Sequence, residues 1–176
     1  VTGYGVDRCT GGGCSNFVQI ATPAGTSFSD TGVTASTSYS YRVRAVDAAN
    51  NLGAFSNTSS ATTPDTTPPG APATLISSAV SSTQIDLSWN AATDDVGVTG
   101  YRVERCTGAG CGTFAQIATQ TGTSFSDTGL TASTSYSYRV RAIDAANNPG
   151  AFSNTSSATT PDTTPPGAPA TLISSA

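Results

Sequence analysis

The feature that most constrains this chain is an internal repeat of 97 residues. Shifting the sequence by that distance aligns Val1 with Val98 and Ala79 with Ala176 without a gap. Of the 79 aligned pairs, 11 differ (positions 5, 7, 12, 15, 16, 18, 23, 24, 33, 46 and 52), leaving 68 identical. A unit of this length suits one small domain, whereas solenoid repeats of about 20–50 residues are too short to account for it. The segment APATLISSAVSSTQIDLSW (Ala71–Trp89) occurs in full once, and its beginning returns at Ala168–Ala176. This frame predicts the C-terminal part of a module over 1–67, a complete module over 68–165 and the first strand of a following module over 166–176. The segment TTPDTTPPGAP, at 62–72 and again at 159–169, reads as the junction; its prolines favour a short, extended, semi-rigid backbone.

Within the complete module, alternating apolar and polar residues bounded by Gly, Pro, Asn and Asp predict strands, with no helical periodicity of useful length. The expected strands are Ala73–Ser77, Gln84–Asn90, Thr99–Cys106, Thr113–Ala118, Ser124–Asp127, Ser135–Asp144 and Ser153–Thr159. Seven short strands with turns every 8–12 residues describe an all-β, antiparallel sandwich. In Ser135–Asp144, Tyr136, Tyr138, Val140 and Ala142 share one face, and Ser137, Arg139 and Arg141 the other. In Thr99–Cys106, Tyr101 and Val103 point inward, while Arg102 and Glu104 point outward.

Trp89, the Tyr-x-Val of Tyr101 and Val103, and the Leu130-x-x-x-Thr134-x-Tyr136 segment together resemble the fibronectin type III family. The Leu-to-Tyr segment is similar to a tyrosine corner, in which a Tyr hydroxyl bonds to upstream backbone; Val33, Thr37 and Tyr39 repeat it in the first copy. GVTGYRVER, SFSDTGL and SYSYRVRAIDAANN are similar to modules of secreted bacterial proteins, and the resemblance covers essentially the full chain. It implies seven-stranded immunoglobulin-like (fibronectin type III) sandwiches in tandem. Two departures stand out: the usual Pro of the corner is Ala35 and Ala132 here, and each copy carries a close Cys pair. The Arg-Gly-Asp integrin motif is absent.

The cysteines, Cys9/Cys14 and Cys106/Cys111, flank four-residue Gly-rich segments between two expected strands. That is a hairpin tip whose flanking Cys can face each other. A closed loop of about six residues stabilises by roughly 2 kcal/mol. A redox pair prefers two intervening residues, and zinc needs four N/S ligands where each copy offers two. A structural disulfide is therefore expected at both tips, in an oxidising, extracellular or cell-surface setting.

Asp94 and Asp95 form the only close acid pair. Neighbouring carboxylates in a loop usually cap turns; calcium is the alternative, with Asp144 at the same end of the sandwich. Arg139 and Arg141 are expected on a solvated face, with Glu104 opposite as a cross-strand charge partner. Asn57-Thr58-Ser59 and Asn154-Thr155-Ser156 fit the N-glycosylation pattern, a short and often accidental match.

There is no His, no Lys, and Glu104 is the only Glu, so the general acid–base repertoire is nearly empty. The chain is expected to be no enzyme and to need no cofactor. A net charge of −4 argues against nucleic acid and anionic membrane surfaces, and no apolar run reaches the roughly 18 residues of a membrane helix. The leading expectation is a structural array: a stalk, surface fibre or filament whose partners are neighbouring copies of the same module. Residues 53–79 and 150–176 match at every position, so equivalent junctions would recur. The alternatives are an adhesin binding a protein or glycan ligand through its loops, and spacer modules of a secreted polysaccharide-degrading enzyme.

Overall fold

A computed structural model describes residues 1–168 and 170. The strand expected within 166–176 falls almost wholly outside the described residues. The chain divides into two compact units, Val1–Thr66 and Thr67–Ala176. Their described secondary structure is entirely β-strand and turn, without a helix.

The second unit contains two antiparallel sheets. In the smaller sheet, β7 (Gln84–Asn90) lies between β6 (Ala73–Ser81) and β10 (Ser124–Thr128). The larger runs in the order β12 (Pro149–Phe152), β11 (Ser135–Asp144), β8 (Val98–Thr107), β9 (Ala115–Gln120), and β13 (Ser156–Thr159) also pairs with β11. The alternation of β11 does what its sequence dictates: Tyr136, Tyr138, Val140 and Ala142 are buried. They meet Tyr101 and Val103 from β8 and Leu75, Ile85, Leu87 and Trp89 from the facing sheet in one core. The Trp89 ring sits edge-on to Tyr101 with centroids 5.5 Å apart, an arrangement aromatic pairs favour.

Three expected strands need correction, the first being Ala73–Ser77, which runs on to Ser81 as β6. The strand expected at Ser153–Thr159 is confined to β13, and a separate piece, β12, precedes it; both pair with β11. The break comes at Ser153, whose backbone N–H donates to Val140 O at 2.8 Å while its hydroxyl accepts the Val140 N–H at 3.1 Å. A side chain thus replaces one rung of the ladder, and the register shifts between Arg141 and Ile143. The strand expected at Thr113–Ala118 begins two residues later, because the Gly-rich tip extends further than its cysteines suggest.

The first unit is a single sheet ordered β2 (Val18–Ala21), β1 (Gly3–Thr10), β3 (Ser38–Val46), β4 (Leu52–Phe55), with β5 (Ser59–Thr62) also pairing with β3. It matches the larger sheet of the second unit, strand for strand. Val6 and Tyr39 are buried, yet Val43 is 39% exposed whereas its repeat partner Val140 is fully buried.

Candidate functional site

Both cysteine pairs are disulfides, Cys9–Cys14 and Cys106–Cys111, each with Cα atoms 6.0 Å apart. Each closes the turn after β1 or β8. Gly11 and Gly13, like Gly108 and Gly110, take positive φ there, which is why the enclosed segment is glycine-rich. Cys9 and Cys106 are buried, so the bridges anchor the tips against the sheets.

Each corner tyrosine accepts a hydrogen bond from the backbone five residues upstream. The Thr131 N–H donates to Tyr136 Oη at 3.0 Å, and in the first unit the Thr34 N–H donates to Tyr39 Oη at 2.8 Å. Leu130 is buried beside this corner, with its N–H donating to Thr83 O at 3.0 Å.

The acidic candidates separate. Asp94 and Asp144 each bring a carboxylate oxygen within 4.8 Å of the other, while Asp95 is exposed and outside this group. Asp94 Oδ2 accepts the N–H groups of Val96 and Gly97 at 3.1 and 2.8 Å, which is turn capping. Asp144 accepts the backbone N–H and the side-chain amide of Asn148, both at 2.8 Å. Burial pulls the Asp144 carboxyl upward, but these hydrogen bonds outweigh it and hold the group below the usual carboxylate range.

On the outer face of the larger sheet, Arg139 Nε donates to Glu104 Oε2 at 2.8 Å, from directly opposite in register. The expected solvated stripe is more enclosed than its parity implies. The Arg139 guanidinium is sandwiched between the rings of Phe114 and Phe152, 4.4 and 3.8 Å from their centroids, and Glu104 beneath it is buried. The first unit repeats the device with Arg42 between Phe17 and Phe55, at 4.3 and 3.7 Å, over the buried Asp7.

A further polar cluster, around the buried Asp127, escapes a reading by parity classes. Asp127 accepts two hydrogen bonds from Arg105 Nη1, at 3.0 and 3.1 Å, and one from the Tyr138 hydroxyl at 2.8 Å. Arg8, Asp30 and Tyr41 form the same trio in the first unit. Its signal in the sequence is an arginine at inward parity, Arg105 following Tyr101 and Val103, in a strand that ends beneath a buried tyrosine. Burial first, and then the Asp127 carboxylate, push the Tyr138 phenol far above its usual value.

None of these groups pairs a nucleophile with a base. The carboxylates accept from backbone, amide, guanidinium or phenol donors, and the cysteines are oxidised. What the arrangement does is hold loops to a sandwich.

The family model of the fibronectin type III domain matches residues 70–159. The chain belongs to the fibronectin type III family. It is 42% identical over its whole length to Chitinase A1 of Niallia circulans, covering 24% of that protein, and 46% identical over 149 residues to Exoglucanase B of Cellulomonas fimi, covering 81% of the chain and 13% of the relative. The chain therefore spans a quarter or less of these relatives. Among solved structures, the A168–A170 domains of titin align over 89% of this chain and 54% of theirs, with TM-score 0.60 and 18% identity. The chicken CNTN1 FN1–FN3 domains align over 91% and 56%, with TM-score 0.54 and 22% identity. At that identity the likeness concerns the fibronectin type III fold alone.

Proposed function

We propose that this chain is a non-catalytic spacer within a secreted polysaccharide-degrading enzyme. The observation that carries the reading is the match to Chitinase A1, which runs through the entire chain at 42% identity while occupying a quarter of that protein. Matches to Exoglucanase B and Endoglucanase B of Cellulomonas fimi point the same way. They favour the accessory reading over the free-standing fibre.

The physical character of the chain suits that role. Its polar side chains are spent on capping, latching and cross-strand pairing. The proline-rich junction gives successive modules a short, stiff connection. Disulfides at both hairpin tips fit an oxidising, extracellular setting.

The test is an in-frame deletion of residues 68–164, one repeat length, from the parent protein. Hydrolysis of a soluble oligosaccharide should be unchanged, and hydrolysis of the insoluble polymer should slow several-fold. Equal loss on both substrates, or no loss on either, would overturn the spacer reading. Regular filaments of the isolated chain in negative-stain microscopy would restore the fibre.

A further inference from the structure

The outer face of the larger sheet in the second unit carries a row of side chains drawn from four adjacent strands. Thr119 on β9 stands opposite Arg102 on β8, Arg102 opposite Arg141 on β11, and Arg141 opposite Phe152 on β12. Two guanidinium-bearing residues therefore face each other at the centre of the row, a placement that destabilises a sheet unless something compensates it. Glu104 does not: it pairs with Arg139 at 2.7 Å and lies 3.7 Å from Arg141. Among the described residues the Arg102 guanidinium has no ion pair and no hydrogen-bond acceptor, while Arg141 Nε is buried without a partner. Three arginines against one glutamate leave this face with an excess of positive charge, in a chain whose net charge is −4.

The repeat isolates one of these charges. In the first unit Gly5 takes the place of Arg102, opposite Arg44. Arg44 folds across that glycine, its Cγ and Nε each 3.6 Å from where a Cβ would stand. Only 11 of the 79 aligned pairs differ between the copies, and this difference adds a cation beside an existing one. The flanking core residues are the same in both copies, Tyr4 and Val6 against Tyr101 and Val103, so packing of the core does not account for the change.

The same face shows what compensates such a pair. The Glu104 carboxylate reaches both Arg139 and Arg141, and a second carboxylate between Arg141 and Arg102 would extend that alternation by one step. A guanidinium fork suits the two oxygens of a carboxylate. The occupant does not join as a strand, because β8 and β11 are paired on both sides and strand addition requires a free edge. We propose that Arg102 and Arg141 bind the carboxylate of an acidic polysaccharide laid across the outer face of the second unit. The Thr119 hydroxyl, which accepts from the Gln116 amide at 3.2 Å, donates to a sugar oxygen at the end of the row. That the acid is borne by a polysaccharide rests on the role proposed for the parent protein.

The experiment runs the whole chain in affinity electrophoresis through gels holding polygalacturonate, neutral dextran or dextran sulfate. Polygalacturonate should retard the chain, and neutral dextran should not. Arg102→Gly, the residue that the first unit itself carries at this place, should weaken binding about tenfold, as for one lost charge-assisted hydrogen bond. Unchanged Trp89 emission would show that this variant is folded. Gly5→Arg should strengthen binding by building the same pair in the first unit. No retardation in polygalacturonate, or retardation that Arg102→Gly leaves intact, would overturn the proposal. So would equal retardation in dextran sulfate, because the face would then read charge density and not a carboxylate. These gels report binding by this chain, whereas the deletion of residues 68–164 reports hydrolysis by the parent protein, so either reading can fail alone.

Discussion

The Tyr138 hydroxyl donates to an Asp127 carboxylate oxygen across 2.8 Å, and both residues are buried. A buried phenol needs a partner and a buried carboxylate needs a counter-charge. Asp127 serves one and receives the other, with Arg105 paired at 3.0 Å. The trio ties β10, in the smaller sheet, to β8 and β11 in the larger.

Replacing Asp127 with Ala strands two donors at once. Breaking a fully buried pair costs about 3–5 kcal/mol; Arg105 retains partial access to water, so a loss of about 2–3 kcal/mol is expected for the second unit. Urea unfolding followed by Trp89, the only tryptophan, reports that unit selectively. An unchanged midpoint would mean the cluster contributes nothing to stability.

Alkaline pH should weaken the same contact. The folded state raises the Tyr138 phenol above its unfolded value. Its contribution is therefore complete below the ordinary tyrosine value of about 10. It is lost as pH rises beyond that, because the unfolded chain releases the proton first. Stability of the second unit measured from pH 8 to 11 should decline at the top of the range, and Tyr138→Phe should decline less steeply.

Opening the Cys106–Cys111 bridge, as in Cys106→Ser with Cys111→Ser, should lower the stability of the second unit by about 2 kcal/mol, the value for a loop of roughly six residues. Intact mass after alkylation without reductant should show no labelled thiol in the unmodified chain. Four labels would contradict both bridges.

The sandwich of Arg139 between Phe114 and Phe152 depends on a flat cation. Arg139→Lys keeps the charge opposite Glu104 but loses the planar stack, and about 1 kcal/mol should go with it. Thermal unfolding of Arg139→Lys beside Phe152→Ala would show both effects. A lysine variant as stable as the parent chain would mean that charge alone matters.

Much of this was legible in the chain itself. The strands Gln84–Asn90 and Ser135–Asp144 lie where their alternation places them, since a period of two leaves one solution once one face must be buried. The cysteine tips and the corner tyrosines were equally local, needing only a turn or a five-residue reach. The Arg105–Asp127–Tyr138 trio was not legible, because Arg105 and Asp127 lie 22 residues apart and meet only when two sheets stack. The enclosure of Glu104 was likewise hidden, as it takes phenylalanines from β12 and from the turn before β9 to cover a nominally outward residue.

The sharpest division between sequence and tertiary structure lies in one repeated heptapeptide. TSFSDTG occurs at 26–32 and at 123–129 with the same residues, and its alternation suits a strand in both places. In the second copy it forms β10, paired along its length with β7. In the first it forms no strand, and Phe28 is exposed. Composition and spacing determined that both units would build the same five-stranded sheet around Tyr-x-Val and SYSYRV. Whether the heptapeptide becomes a strand was decided only by tertiary structure, because a strand's N–H and C=O groups must find a neighbouring ladder and an apolar face must find its cover.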